Sequence, residues 1–379
     1  MSPEATGRTA ESGAVSEVSR QLYDHLREFY GRRLKTSKDF AQQACCTTDT
    51  TRDHAPVLEL LPKQVLEGYA GCGSPIPTDY SQFSGLRIPD LGCGRGADVF
   101  TLAYYVGPEG VVTGLDMTEE QVAIARDAVP VVTQRFGFDS PNMVFHQGYI
   151  ETADAIPSGS VDLVVSNCVI NLSPFKDQVF KTIHRVLKEG GEWYIADVIA
   201  DRRASSALRS DPDLIAECLG GAPYDRDLRD VIEGAGFPYL WEVKRTPIPA
   251  PDVEKRFGES VKFYSVVWRS IKLTQPERVD GVDLPALERS CEDYGQVARY
   301  LGNLPTALAK FTLDSTHVFE AGRPVLVCRN TANILRFGRL ARYFEVSVPV
   351  KHFGSFACPP MASVQQSLGP SATGASCCS

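Results

Sequence analysis

The stretch Asp90-Leu-Gly-Cys-Gly-Arg-Gly96 follows an apolar run that begins at Gly85, and a helix-like segment at about residues 98–106 comes after it. Glycine lets the backbone approach a ligand that a Cβ atom would block, and it accepts dihedral angles that other residues resist. An apolar strand, a glycine-rich turn and a helix in this order predict a ligand-binding turn at one edge of an α/β sheet.

Strand-like and helix-like segments alternate after this turn. Strands are predicted for residues 110–116, 143–147, 161–166 and 192–197, and helices for residues 118–129 and 175–187. Such alternation is typical of a parallel sheet with right-handed crossovers. The central part of the chain is therefore predicted to be a doubly wound α/β domain.

The flanking regions have other patterns. Helical spacing of apolar residues predicts N-terminal helices at 17–30 and near 57–64, whereas apolar and polar residues alternate from Phe257 to Trp268. A helix at 332–341 and a strand at 343–350 follow. We therefore predict four parts: an N-terminal arm with helices (1–80), the α/β domain (81–247), a smaller α+β C-terminal domain (248–355) and a loose tail (356–379) rich in Ala, Ser, Gly and Pro.

Composition excludes several classes of function. The 379 residues carry a formal net charge of −8, so neither nucleic acid nor an anionic membrane surface is an expected partner. The first residues do not resemble a secretory signal, and no apolar run has the roughly 18 residues that a membrane span needs. We expect a cytoplasmic protein, whose 11 cysteines would be mostly reduced and available for thiol chemistry or metal binding.

The acid that opens the glycine-rich turn distinguishes two kinds of cofactor. Asp90 would repel a pyrophosphate but attract an aminium, and Asp116 ends the second strand where a carboxylate can accept hydrogen bonds from ribose hydroxyls. The pattern resembles class I S-adenosylmethionine-dependent methyltransferases over about residues 88–197. The resemblance implies S-adenosylmethionine as co-substrate and no tightly bound catalytic metal. The implied cofactor-binding residues are Asp90, Gly92, Gly94, Gly96, Asp116, Met117, Ile150, Glu151 and Asn167. Glu151 could alternatively be a solvated helix cap.

Phrases at or near four cysteines add a second resemblance. The strings SNCVINLSP, DVIADRR and ECLGGA, with GCG around Cys72 and LKTSKDF before Cys45, resemble the arsenite S-adenosylmethionine methyltransferase family over about residues 30–344. The resemblance implies that Cys168 and Cys218 bind trivalent arsenic and that Cys72 supplies the third thiolate. It also implies a disulfide between Cys45 and Cys72 during turnover, although the adjacent Cys46 leaves the choice of resolving thiol open.

The implied chemistry suits these residues. Trivalent arsenic is soft and prefers sulfur to the oxygen of water, and three thiolates would leave its lone pair outward as the nucleophile. The expected substrates are arsenite and methylarsenite, and the expected products are mono-, di- and, at the furthest, trimethylated arsenicals, made for detoxification. Thioredoxin or glutathione would reset the disulfide. We expect a monomer, and we expect that Cys377 and Cys378 in the tail could capture arsenic.

Two other functions stay open. A methyltransferase of a small carbon or oxygen acceptor would share the whole cofactor half and use the cysteines only for packing. A thiol sensor or zinc module is the other alternative, but structural zinc draws paired cysteines at closer spacing. The chain also departs from the family at Ala70, where an aromatic residue is usual, at Cys93 and Arg95 in the turn, and at Pro223 after ECLGGA.

Overall fold

A seven-stranded sheet forms the centre of the molecule in a computed structural model that describes residues 17–34 and 54–357. The strands lie in the order β3-β2-β1-β4-β5-β7-β6. Their bounds are β1 (Arg87–Leu91), β2 (Val111–Asp116), β3 (Met143–Gln147), β4 (Val161–Asn167), β5 (Leu187–Ala200), β6 (Trp241–Ile248) and β7 (Phe263–Ile271). The first five strands are parallel, whereas β7 runs antiparallel to both of its neighbours.

Helices cover this sheet, and further helices precede its first strand. Their bounds are α1 (Glu17–Glu28), α2 (Ala55–Leu58), α3 (Lys63–Leu66), α4 (Ala97–Val106), α5 (Glu119–Phe136), α6 (Lys176–Val186), α7 (Ser206–Arg209), α8 (Pro212–Ala216), α9 (Asp225–Gly234), α10 (Pro251–Phe257) and α11 (Arg329–Phe337). The predicted doubly wound α/β class is confirmed, with the strand reversal between β1 and β4 that creates a ligand crevice in open sheets. Among the described residues, no helix is both long and apolar enough to cross a membrane.

Small antiparallel sheets follow the central one. They contain β8 (Glu277–Val279), β9 (Val282–Leu284), β10 (Glu292–Asp293), β11 (Gln296–Tyr300), β12 (Lys310–Thr312), β13 (Val318–Glu320), β14 (Pro324–Val327), β15 (Phe344–Val346) and β16 (Gly354–Ser355). Strand β11 pairs with β14 and β15, and α11 packs with them around a core that includes Tyr300 and Phe319.

One sequence-based interpretation requires correction. The alternating residues from Phe263 to Trp268 were expected in a C-terminal domain that begins at residue 248, but β7 lies inside the central sheet between β5 and β6. Trp268 is buried against the helices of one sheet face, and Val267 packs in the core on the other. Both faces of β7 are buried, and its polar residues Ser265, Arg269 and Ser270 donate hydrogen bonds inside the protein. Sequence periodicity does not reveal which sheet a strand joins.

Several element bounds also differ from expectation. Helix α5 continues through Pro130 to Phe136 rather than ending near residue 129. The single helix expected at residues 57–64 is two short helices, because Pro62 has an extended conformation at the start of α3. Helix α11 starts three residues before its predicted beginning, and the strand expected at 343–350 is confined to β15.

A buried ion network joins the N-terminal segment, the central sheet and the C-terminal sheets. Arg339 forms ion pairs with Asp79 at 2.6 Å and with Glu192 of β5 at 3.5 Å. Arg269 of β7 pairs with the other oxygen of Glu192. All four side chains are at most 9% exposed, so removing one charge would leave its partners buried without compensation.

Candidate active site

The glycine-rich turn lies at the carboxyl end of β1 and needs glycine for two separate reasons. Gly92 and Gly96 have φ values of +85° and +86°, in the left-handed region. A Cβ atom on Gly92 would overlap the side chain of Val169, and one on Gly96 would overlap the ring of Phe145. Glycine is therefore needed in this turn both for its backbone conformation and for its close packing against Val169 and Phe145.

The end of β2 closes the same crevice. The Asp116 carboxylate accepts hydrogen bonds from the backbone N–H of Gly94 and that of Thr118, each at 2.9 Å. These bonds fix the glycine-rich turn against the neighbouring strand. Asp116 lines the crevice, as the ribose-binding prediction requires, and that role remains a prediction.

Three carboxyl groups face one another in the crevice, where Asp90 is buried and Asp98 and Asp116 are half-buried. Burial and the charges of Asp98 and Asp116 raise the pKa of Asp90 well above its usual value. Burial also raises the pKa of Asp98 to about 6, although Asn167 and Tyr69 donate hydrogen bonds to it. Asp116 likewise has a raised pKa because of its burial. Such a cluster of acids is stabilised by a bound cation.

These residues fit S-adenosylmethionine. Asp90 is 2% exposed, and its Oδ1 atom is buried without a hydrogen-bond partner, which an aminium group would supply. Asp98, in the first turn of α4, was not among the predicted cofactor-binding residues. Its acidic side chain at a helix N-terminus is equally explained by the helix dipole, so the sequence alone carried no specific signal for it.

The residues after β3 form the next wall of the crevice. Ile150 and Glu151 line it and are each 8% exposed, and Met117 lies across from them. Tyr23 of α1 donates a hydrogen bond to the Glu151 carboxylate at 2.6 Å, and Ser173 donates another. Glu151 is therefore not a solvated helix cap, and its contact with the adenine remains a prediction.

Arg95, a departure from the family pattern, closes one side of the crevice. Its guanidinium donates hydrogen bonds to the Gln64 carbonyl, the Leu34 carbonyl and the Gln121 side chain. Burial lowers the pKa of Arg95. Arg95 thus attaches two N-terminal segments to the glycine-rich turn.

Asn167 links the crevice to the candidate acceptor site. Its Nδ2 donates to the Gly73 carbonyl at 2.8 Å and to Asp98, and its Oδ1 accepts from the Cys72 N–H at 3.1 Å. The Asn167 side chain therefore binds the Gly71-Cys72-Gly73 segment through both a backbone N–H group and a backbone carbonyl group. These hydrogen bonds place Cys72 beside Cys168, which directly follows Asn167 in the sequence.

Cys72 and Cys168 form a disulfide, with Cα atoms 5.8 Å apart. The expected partner of Cys72 was Cys45, which lies outside the described residues together with Cys46, Cys358, Cys377 and Cys378. Asn167 holds Cys72 at the end of β4, where Cys168 follows directly, and this accounts for the observed pair. The pairing of Cys72 with Cys45 during turnover stays a prediction. A sequence separation of 96 residues gave no indication of this pair.

Cys218 completes the cysteine group. Its Sγ donates a hydrogen bond to the Cys168 carbonyl at 3.0 Å, and both residues are buried. Cys168 and Cys218 have φ values of +56° and +64°, in the left-handed region that non-glycine residues rarely adopt. Each such conformation costs on the order of 1–3 kcal/mol and tends to occur at functional sites. The structure thus brings Cys72, Cys168 and Cys218 together, while their roles remain predictions.

Two charged residues beneath the cysteines, the buried Asp197 and the half-buried Lys176, were missed by the sequence analysis. One carboxylate oxygen of Asp197 and the sulfurs of Cys72 and Cys168 all lie within 4.8 Å of one another. Burial raises the pKa of Asp197 to about 6, although it accepts hydrogen bonds from the N–H groups of Val198 and Asn171. Burial also lowers the pKa of Lys176 to about 8, against the opposing effects of Asp197 and Cys218. Asp197 begins the string DVIADRR and Lys176 opens a helix, so neither stood out as a ligand.

The fold and the donor crevice define a class I S-adenosylmethionine-dependent methyltransferase. A family model described as a methyltransferase domain matches residues 82–236. The chain is 39% identical over 341 residues to an arsenite methyltransferase of Aquipseudomonas alcaligenes, covering 88% of this chain and 94% of that one. It is 35% identical to the arsenite methyltransferase of Rattus norvegicus, covering 86% and 85%.

A solved structure agrees with these relatives. The crystal structure of an arsenic(III) S-adenosylmethionine methyltransferase from Chlamydomonas reinhardtii matches with a TM-score of 0.73 and 36% identity, covering 80% of this chain and 98% of that chain. The chain belongs to the arsenite methyltransferase family of S-adenosylmethionine-dependent enzymes.

Proposed function

We propose that the protein transfers methyl groups from S-adenosylmethionine to trivalent arsenic bound by the Cys72, Cys168 and Cys218 thiolates. One observation carries the proposal: Cys168 lines the donor crevice while its backbone and sulfur contact Cys218 and Cys72. An arsenic atom on these sulfurs would face the methyl donor directly. The relatives named for arsenite support the same substrate.

Arsenite binding needs no separate base. Three thiols and As(OH)3 exchange three S–H and three As–O bonds for three As–S bonds and three water molecules, so the thiol protons leave with the hydroxyls. Arsenic keeps its lone pair and its trivalent state throughout. The buried position of the cysteines excludes the water that would reverse the exchange.

Methyl transfer depends mainly on alignment. S-adenosylmethionine, when bound, supplies a methyl group already activated by the positive sulfonium. The carboxyl groups of Asp90, Asp98 and Asp116 would hold the positive donor, and Asn167 would hold Cys72 and Cys168 at a fixed distance from it. Such positioning supplies effective molarities on the order of 10⁵ M or more.

The disulfide adds a reductive step to each cycle. Cys72 and Cys168 accept two electrons and two protons from a dithiol, such as thioredoxin, or from two glutathione molecules, which become the new disulfide. The same reductants would serve a pairing of Cys72 with Cys45. Methyl transfer formally removes two electrons from the arsenic. When Cys72 and Cys168 then leave it as a disulfide, two As–S bonds would break, one S–S bond would form, water would take the vacated positions, and the two electrons would return to the arsenic, which becomes trivalent again. Repeated cycles would give mono-, di- and trimethylated arsenicals and detoxify arsenite.

The experiment is methylation of arsenite by the purified protein with S-adenosylmethionine and a thiol reductant, with arsenic species separated by chromatography. Cys168→Ser and Cys218→Ser should each lower turnover by at least about 100-fold, because a serine hydroxyl does not replace a soft sulfur ligand. Affinity for S-adenosylmethionine, measured by calorimetry, should stay within a few-fold.

Cys291→Ser is the matched control, since it removes a thiol far from the donor crevice and should keep full turnover. Retained methylation in either active-site variant would contradict the mechanism. Donor binding without any methylated arsenic from the wild type would favour a small carbon or oxygen acceptor instead.

A further inference from the structure

A second pair of thiols meets in the C-terminal sheets. Cys328 caps the N-terminus of α11 and is fully buried, whereas Cys291 precedes β10 and is partly exposed. The two side chains are in contact, and this contact together with burial raises the pKa of Cys328. Neither thiol has a role in the proposed methyl transfer.

Hydrogen bonds from α11 fix the two cysteines next to each other. Asn330 is fully buried, and its Nδ2 donates to the Glu288 carbonyl at 2.8 Å and to the Ser290 carbonyl at 3.0 Å. Its Oδ1 accepts from the Glu288 N–H at 2.8 Å. Because Asn330 follows Cys328 by two residues and Ser290 adjoins Cys291, these bonds bring the thiols into register.

Polar groups contact both sulfurs from outside the pair. The Tyr239 hydroxyl lies 2.9 Å from Cys291 Sγ, and the Thr331 hydroxyl lies 3.4 Å from Cys328 Sγ. The Thr331 hydroxyl also forms a hydrogen bond with Nε2 of His317, and Nδ1 of His317 contacts the Asp314 carboxylate. Tyr239, His317 and Asp314 also line a cavity, so the polar groups around the pair face open space although neither cysteine lines it.

We propose that Cys291 and Cys328 form a separate binding site for a trivalent arsenical that already carries one carbon substituent, R–As(OH)2. The two thiols exchange two S–H and two As–O bonds for two As–S bonds and two water molecules, with no change of oxidation state. Two sulfurs and the retained carbon complete the three bonds of trivalent arsenic. Arsenite itself, with three exchangeable oxygens, is better matched by the three cysteines of the methyl-transfer site.

This proposal rests on the proposed function only because methyl transfer would supply the methylated arsenical in the cell. Its binding chemistry belongs to the dithiol, so it should persist when methyl transfer is abolished. The C-terminal sheets would then retain a methylated arsenical apart from the donor crevice.

Residue-specific alkylation with N-ethylmaleimide tests this site in the full chain, with phenylarsine oxide as the probe and excess glutathione to remove single-thiol adducts. Trypsin would separate the two thiols, because residues 290–299 contain only Cys291 and residues 311–329 only Cys328. One equivalent of probe should slow labelling of Cys291 by at least about tenfold, since the second thiol acts at millimolar or higher effective concentration.

Cys328→Ser should abolish that protection, and serine is a favourable helix N-cap that keeps the side-chain volume. Unchanged arsenite methylation by this variant would show that it is folded. Cys93→Ser, which removes a buried thiol elsewhere, should leave the protection intact. The double variant Cys168→Ser/Cys218→Ser should also keep it, which separates this site from the methyl-transfer mechanism. Unprotected Cys291 in the wild type, or equal protection in Cys328→Ser, would overturn the proposal.

Discussion

The donor crevice and the cysteine site share Asn167 but use different physics. The crevice is built from one short motif and neighbouring strand ends, and we expect it to act through the carboxyl groups of Asp90, Asp98 and Asp116. The cysteine site is assembled from distant segments, and we expect it to act through the thiols of Cys168 and Cys218, which lie in left-handed backbone. Charge therefore dominates one half of the site and geometry the other, and variants should separate the two.

The largest effect is expected from Asp90→Asn, which removes a charge but keeps the size of the side chain. Affinity for S-adenosylmethionine should fall about 100-fold, because a hydrogen bond to a charged group contributes roughly 1.5–3 kcal/mol. Stability should not fall, since Asp90 is buried beside two other acids and its charge is uncompensated in the free protein. Calorimetric titration and urea unfolding measure the two quantities.

Asp162→Asn is the matched control for that variant. Asp162 accepts hydrogen bonds from the Arg87 N–H and from Lys188, near the start of β1 and far from the crevice. Its loss should lower stability and leave donor affinity unchanged. Unaltered donor affinity in Asp90→Asn would contradict the assignment of Asp90 to the aminium.

A smaller effect is expected from pH, because Asp98 has a pKa of about 6 in the free protein. A bound cation favours the carboxylate, so it lowers this pKa and releases a proton. The part of the donor affinity that depends on Asp98 should therefore be constant above about pH 7 and fall by up to about tenfold per pH unit below 6. Titrations between pH 5 and 8 would measure the slope.

Asp98→Asn should remove the part of the pH dependence of donor affinity that comes from the Asp98 carboxyl group. Asp197 provides the matched control, since burial also raises its pKa to about 6 but it lies beneath the cysteines. Asp197→Asn should therefore leave the slope of donor binding in place. If Asp197→Asn removed the pH dependence of donor affinity and Asp98→Asn did not, the assignment of Asp98 to the donor crevice would be contradicted.

The smallest effect concerns backbone strain at Cys168. Under reducing conditions, Cys168→Gly should be more stable than Cys168→Ala by about 1 kcal/mol, because both lack sulfur but only glycine accepts a φ of +56° without strain. Urea unfolding of the two variants gives the difference directly.

Cys93 is the control position because its φ is not in the left-handed region. There, Cys93→Gly should be less stable than Cys93→Ala, since glycine loses more chain entropy on folding. The same order of stability at both positions would mean that the backbone at Cys168 is not strained.

The amino-acid sequence alone sufficed to predict the α/β class, which is confirmed, and to propose residues for the donor half of the site, whose roles stay predictions. Asp90, the glycines and Asp116 lie within one turn and the next strand, so local backbone preference and strand order predict that they converge. The family resemblance of the cysteine phrases also indicated Cys72, Cys168 and Cys218 correctly as neighbours, which the structure brings together.

The remaining features of the site and the fold could be seen only in the folded structure. The pairing of Cys72 with Cys168, the position of Asp197 beside them, the contact of Cys291 with Cys328 and the place of β7 in the central sheet all depend on contacts between distant segments. Periodicity and spacing describe one segment at a time. Which segments meet depends on the packing of the whole chain, and here a single amide, Asn167, brings one such pair together.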